Sequence, residues 1–598
     1  MIFSNSQHSS AIAWERTFSR FMQPMARCLL LLCFFALLAG SAVAQQDSLV
    51  DRLPADTWLY LHWRGTSSLT TASETNSVLR LWRDPSFAAA RRSLIDQMFQ
   101  EAKRKNPKST GLTQENAGEI FSLLENQAVF GLMNRSTNVP DNIPNSSSSF
   151  LIYDAAGKQN ILDKLNAERV KNSPPSFTRT PLPVGSFTAY KIVNGKSTSY
   201  EAQAGTYFVR TDTLAAMEEI LPRITAAHPP AAHFEESEAV PSGCRNAAAG
   251  SLLTFLALPS KFNLAAIPPN ANFNFAAFVK TLHLDQIRTV CGNVTFESHA
   301  TRMRGAVVGD TSAGSILNII GAGRSSFATL ALASSGSSYE CSILDVLSLY
   351  KTLLAGFSAA LPPDKQGFIA GIDSLVSTFW GMPPADALGL FTGEFANVHV
   401  NTAADPTRAV YAFTIQHPKK VVALLQHIIP GASATQTQDG DTTYVTITFP
   451  QHAQAAQAPA AKPSVFFVAV TPSMAIVAKH QDLVHNAVAR LRMPPLSAQA
   501  DSLANDPGFK NARAAMPARL SSLAYSNLAD FNWTRMLTNL QNQISQAQAA
   551  TRKAGEPAPP PVDLFQGFDP KIISKYLHTS RGSAWKNSTG IYFESAIQ

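Results

Sequence analysis

Two hydrophobic periods run through this chain, and they separate strands from helices. Trp58-Leu-Tyr-Leu-His-Trp63, Phe150-Leu-Ile-Tyr153, Tyr190-Lys-Ile-Val193 and Tyr207-Phe-Val209 are short runs rich in aromatic and β-branched residues. Such runs fit a pleated, half-buried surface and predict strands. Ile161, Leu162 and Leu165, then Leu214, Met217, Leu221 and Ile224, recur at helical spacing and predict amphipathic helices after two of them.

The same order returns later in the chain. Residues 120–134 read like 387–401, 150–155 like 413–418, and 190–193 like 444–447. Residues 207–209 and their helix read like 475–477 followed by Leu483, Ala487 and Leu491. Residues 253–258 read like 523–528, and 294–298 like 591–595. Likenesses kept in one order predict an internal duplication. The expected boundaries are a first unit over 45–310, a linker over 311–326 and a second unit over 327–598. The opening of the second unit is the weakest match, because 327–343 is rich in Ser and Gly where the first unit has its aromatic strand.

Short spacings between strands favour hairpins. The expected class is therefore α+β: two tandem related units, each a mainly antiparallel curved sheet with helices packed on one side. Residues 138–149, 225–242, 451–463 and 546–562 are rich in Ala, Pro, Ser or Gln and read as solvated loops.

The N-terminus changes the picture most. A polar stretch ends at Arg27, an apolar run of about 12 residues follows over 28–39, and small residues at Ala42 and Ala44 make an A-x-A site. This order predicts a secretory signal peptide over 1–44. The run is too short to span a bilayer comfortably, and no later segment is apolar for 18 residues. The expectation is an extracytoplasmic protein, periplasmic or secreted, with no stable membrane span after cleavage. Cys244, Cys291 and Cys341 then remain, and one disulfide or buried free thiols both fit them.

At 598 residues the chain has room for roughly two to four domains. Only 15% of residues are charged, against roughly 25% in typical soluble domains. Net charge is +7, of which the signal segment holds a surplus of two, leaving about +5 for the body. No basic run or basic–aromatic interleaving occurs, so nucleic-acid binding is not expected.

Leu53-Pro-Ala-Asp-Thr57 opens the mature chain, and Ser502-Leu-Ala-Asn-Asp-Pro-Gly-Phe509 precedes Ala512, Pro517 and a strand. With Leu390-Phe-Thr-Gly-Glu-Phe-Ala396, these motifs resemble a family of secreted bacterial proteins known only as a domain of unknown function. The resemblance implies export, a repeated α+β fold and no defined catalytic residues. The first unit departs from the pattern, with Gln127 where the second has Glu394.

Candidate chemistry is sparse. Ser348-Leu-Tyr-Lys351 and Tyr525-Ser-Asn527 match two of three motifs of a serine acyl-transfer group, but the third is missing. No nucleophile elbow, phosphate loop or cofactor fingerprint is present, so no cofactor is expected. Gly321-Ala-Gly323-Arg324 reads as a turn between units. His480 and His485 are five apart and do not share a helix face; His62 and His399 sit alone in strands.

Trp58, Tyr60, Trp63 and Trp82 crowd the mature N-terminus, either as core or as the wall of an apolar groove. Glu394 is the carboxylate to follow, with a turn or cap as its plainer role. The reading is a non-catalytic exported protein that binds an amphipathic small molecule or an envelope protein, with Trp58, Tyr60, Trp63 and Glu394 as ligand candidates. An envelope hydrolase assembled from distant loops, or an assembly protein, are the alternatives. A continuous apolar cavity would favour the small molecule, and a flat exposed apolar patch the protein.

Overall fold

The computed structural model describes residues 49–598 apart from short runs and the longer stretches 93–118, 135–146, 227–250, 262–272, 400–407, 450–463 and 543–568. The expected signal segment, Cys244 and most of the four low-complexity loops lie outside the described residues.

Strands run over Thr57–Trp63 (β1), Ala128–Asn134 (β2), Ser147–Asp154 (β3), Phe177–Val184 (β4), Phe187–Asn194 (β5), Ser197–Ala204 (β6) and Tyr207–Thr211 (β7). Ser251–Ala257 (β8), Thr289–Glu297 (β9), Ala300–Val308 (β10), Ser338–Ile343 (β11), Phe391–His399 (β12) and Ala409–Ile415 (β13) follow. The last are Ser433–Asp439 (β14), Thr442–Thr448 (β15), Val465–Val470 (β16), Met474–Ala478 (β17), Ser522–Asn527 (β18), Thr579–Lys586 (β19) and Gly590–Ile597 (β20).

All belong to one curved, unclosed sheet, and every pairing is antiparallel. From one edge the order is β4-β5-β6-β7-β3-β2-β1-β8-β9-β10. It continues β20-β19-β18-β11-β12-β13-β17-β16-β15-β14. The first ten strands thus fill one side and the last ten the other, meeting where β10 pairs with β20.

Helices cover Ser77–Arg83 (α1), Gln159–Lys171 (α2), Leu214–Thr225 (α3), Phe275–Thr281 (α4), Ile316–Ile320 (α5) and Val346–Ala360 (α6). They continue with Gln366–Trp380 (α7), Pro384–Leu388 (α8), Pro418–His427 (α9), Gln481–Leu491 (α10), Pro507–Ala514 (α11) and Lys571–Tyr576 (α12). Their starts are written in the sequence. Asn76, Thr213, Asp345 and Asp506 accept backbone N–H bonds as N-caps of α1, α3, α6 and α11.

Helices pack on both faces of the sheet, which corrects the one-sided expectation. Met217, Ile220, Leu221 and Ile224 of α3 pack with Tyr60, Phe150 and Ile152 on one face, and α10 lies with Tyr339 and Ile476 in a second core cluster. On the opposite face α1 covers Trp63, Leu253 and Val294, and α9 covers Ile447, Val468 and Val470. The reason lies in the strands: β8 is buried at nearly every position, so it has no solvent face. Alternation in a few strands predicted one dry face, whereas continuous apolar runs called for two.

At the β10–β20 seam a charged cluster replaces the apolar packing. Arg302 donates to Glu297 at 2.6 Å and to Glu594 at 2.7 Å. Arg304 donates to Glu594 at 3.0 Å and lies 3.3 Å from Glu297. Arg581 of β19 approaches Glu594 at 3.8 Å. Three cations share two carboxylates on the central strands.

Cys291 is in a disulfide whose partner lies outside the described residues, and Cys341 is free and buried. Both open readings of the cysteines therefore apply, one to each residue.

Candidate functional site

The aromatic candidates lie on different faces. Tyr60 is fully buried, opposite Gly131 of β2 and Leu256 of β8, within the main core. Trp63 is buried on the other face, and its Nε1 donates to the Leu124 carbonyl at 2.8 Å. Trp58 is half-buried, with Nε1 donating to Ser147 Oγ at 3.2 Å. Trp82 is buried against Phe87, ring centroids 5.7 Å apart. Tyr60, Trp63 and Trp82 pack as core, and Trp58 keeps part of its ring at the surface.

Glu394 is the fourth residue of β12, after Gly393 with φ 111°, and is 1% exposed. Its carboxylate accepts from the Ala328 and Thr329 N–H groups at 3.2 and 3.1 Å, from Thr329 Oγ1 at 3.2 Å and from Arg324 at 3.2 Å. It caps the 3-10 turn Ala328–Leu332 from a distance and fastens it to the sheet. Thr329 Oγ1 and Tyr339 Oη lie 2.9 Å apart and extend the network inward. The charge is buried but multiply bonded, as a structural carboxylate must be. No local signal in the sequence points to residues 328 and 329 as its partners.

A cleft of about 480 Å³ opens beside it, lined by Arg324, Ser325, Ser326, Phe327, Glu394 and Arg519. Arg324 also donates to the Thr392 carbonyl at 3.0 Å, and Arg519 to Gly323 at 2.9 Å. A second cleft of about 530 Å³ lies between the β4–β5 turn and α3, with Glu218 in its wall. Neither is a continuous apolar cavity between sheet and helices.

Two residues of the acyl-transfer match, Ser348 and Tyr525, make structural bonds. Ser348 N–H and Oγ both donate to Asp345 at 2.9 and 2.7 Å, a helix cap. Tyr525 is buried and donates to Asp506 at 3.4 Å, and burial pushes its pKa to about 12. His485 packs tilted against the Tyr444 ring at 4.5 Å, and His399 lies 3.1 Å from Asn397 with its pKa lowered by burial. Among the described residues no group of three or more His, Cys, Asp and Glu gathers to hold a metal.

What the structure does present is a row of exposed apolar residues on α7. Ile372, Leu375 and Phe379 follow helical spacing on one face of α7 and are 45%, 47% and 38% exposed. A flanking face is turned inward: Trp380 packs against the α9 core, and the Tyr350 hydroxyl of α6 donates to Asp373. Asp373 is the lone charge of the helix, so the outward face is neutral. Phe357 of α6 and Phe275 of α4 are also exposed, and Phe357 joins a ring cluster with Phe273 and Phe278 at 6.2 and 5.1 Å. Sequence reading missed this surface because an apolar helix ordinarily faces a core.

Among the described residues no helix is long and apolar enough to cross a membrane. No family model, curated protein or solved structure matches this chain.

Proposed function

We propose that this is an exported, non-catalytic protein of the cell envelope that docks another envelope protein through the neutral outer face of α7, with Phe357 on the neighbouring α6. The observation that carries the reading is the row Ile372, Leu375 and Phe379 held in water. Clustered apolar residues of this kind mark interaction sites. A photo-crosslinker at position 375 of the exported chain tests it. The expected result is one defined envelope-protein adduct, lost when Ile372 and Phe379 are changed to Ser and absent from a crosslinker at Asp364. Adducts to lipid alone, or none, would sink the reading.

The same proposal includes cleavage after Ala44, tested by the intact mass of the exported protein. It also includes the duplication. Support comes from the strand order, since β11 to β20 follow one another as β1 to β10 do with ten added to each number. Stepping across the pairings from Tyr60 meets Leu256, Cys291 and Ala306; stepping from Tyr339 meets Tyr525, Arg581 and Ala596. All eight are buried. On this mapping β20 is the counterpart of β10, so the likeness of 294–298 in β9 to 591–595 in β20 lies outside the support.

Membership in the secreted family belongs to the proposal as well, and its motif residues have physical work. Leu53 is fully buried, Ser502 caps the turn Leu503–Asn505, Asp506 caps α11 with Pro507 in its first turn, and Phe509 is buried.

A further inference from the structure

The open sheet has two outer edges, β4 and β14, and they are built differently. An unpaired edge is a row of free N–H and C=O groups, which proteins blunt with proline and charge. β4 is blunted. The turn Gly185-Ser186, with Gly185 at φ 57°, closes on the pair Val184–Phe187. Such a two-residue turn ends in a hydrogen-bonded pair. Val184, Leu182 and Thr180 therefore turn their backbone groups to β5, while Pro183, Pro181 and Arg179 turn theirs outward. Proline removes two of those outward donors.

β14 shares the turn geometry and lacks the blunting. Gly440-Asp441, with Gly440 at φ 62°, closes on Asp439–Thr442. By the same alternation Ala434, Gln436 and Gln438 turn their N–H and C=O groups outward. All seven residues of β14 are exposed, and none is proline. Its single charge, Asp439, is held by Arg492 at 3.0 Å. Among the described residues no strand pairs with its outer side.

We propose that β14 pairs antiparallel with β14 of a second copy, about a twofold axis through Gln436, so that one sheet continues across two molecules. The strand is self-complementary in this register. Gln436 meets Gln436, Ala434 meets Gln438, Thr435 meets Thr437, and Ser433 meets Asp439. No like charges meet, and Thr–Thr pairs are favourable across strands. Each outward pair exchanges two N–H···O=C bonds, so every outward group of the three residues is used. The contact would repeat a device within the chain, where β10 and β20 join the two sides of the sheet antiparallel. The closed β4 edge matters too: with one open edge per molecule the assembly stops at two, where two open edges would grow a fibre.

Sedimentation velocity of the mature chain between about 1 and about 100 μM tests the proposal. A concentration-dependent monomer–dimer equilibrium is expected. Gln436→Pro with Gln438→Pro copies the β4 solution and is expected to give a monomer with unchanged circular dichroism. Gln436→Lys places two ammonium groups at the axis without touching the backbone donors. It is expected to weaken the dimer at least tenfold at low salt, with recovery at high salt. A wild-type chain that stays monomeric throughout overturns the proposal. A dimer that survives both variants, or one lost only when Leu375 and Phe379 become Ser, places the interface elsewhere and overturns it equally.

Discussion

Arg304 and Glu594 face each other directly across the β10–β20 seam, and Arg304 Nε donates to Glu594 at 3.0 Å. Two residues further along either strand, the buried Ala306 and Ala596 each lie opposite a residue of the other strand, Tyr592 and Arg302. The pairing maps onto itself about this ion pair. Glu594 also serves Arg302 and neighbours Arg581, so removing its charge leaves three cations with Glu297 alone. Glu594→Gln is expected to cost about 1–2 kcal/mol in urea unfolding, a value reduced for partial exposure.

The same carboxyl gives a pH signature. Burial raises its pKa, but the hydrogen bonds and charges of Arg304 and Arg302 outweigh that and hold it below its ordinary 4.5. A lowered folded value means stability that is full above the unfolded value and lost as pH falls through the folded one. The loss in acid should be smaller in Glu594→Gln than in wild type, read from unfolding midpoints across that window.

Asp56 behaves in the opposite sense. Burial first, then Glu219 of α3, raise its pKa from 3.8 to about 6, against smaller opposing effects of Arg223 and Lys261. A raised value means that its contribution is fully present below 3.8 and is lost as pH rises through about 6. Asp56→Asn should therefore stabilise the fold at pH 8 by about 2 kcal/mol and change little near pH 3. Equal effects at both pH values would remove this account.

Cys341 is 0% exposed, and burial pushes its thiol to about 11. A buried, protonated thiol is a poor nucleophile. A thiol-specific reagent at pH 8 should leave native protein unlabelled and add one equivalent per chain on unfolding, with Cys291 held in its disulfide. Rapid labelling of the native state would contradict the burial.

Gly305 lies opposite Phe593, whose ring covers it, and a methyl group at 305 would overlap that ring. Gly131 under Phe150 is arranged alike. Gly305→Ala is expected to lower stability by about 1–3 kcal/mol through overpacking. Phe593→Leu in the Gly305→Ala background should recover part of it, a coupling measurable by a double-mutant cycle.

Part of the element order is legible in the residues alone. Alternation and helical spacing placed β3, β5, β7 and the helices α3 and α10, because side-chain period is a local property of the backbone. Capping residues such as Asp506 and turn glycines such as Gly440 are legible for the same reason. What each apolar surface meets is settled by long-range packing. Trp63 and Ile372 are both apolar positions in regular elements, yet Trp63 is buried beneath α1 and Ile372 faces water. Burial depends on which strands become neighbours, and that is set by pairings such as Gly305–Phe593 between residues nearly 300 positions apart. Glu394 could be singled out as a carboxylate after glycine, but its role as a cap required Ala328 and Thr329 to be folded back upon it. The contrast between the proline-blocked edge and the open one exists only once the sheet order makes β4 and β14 the last strands on either side.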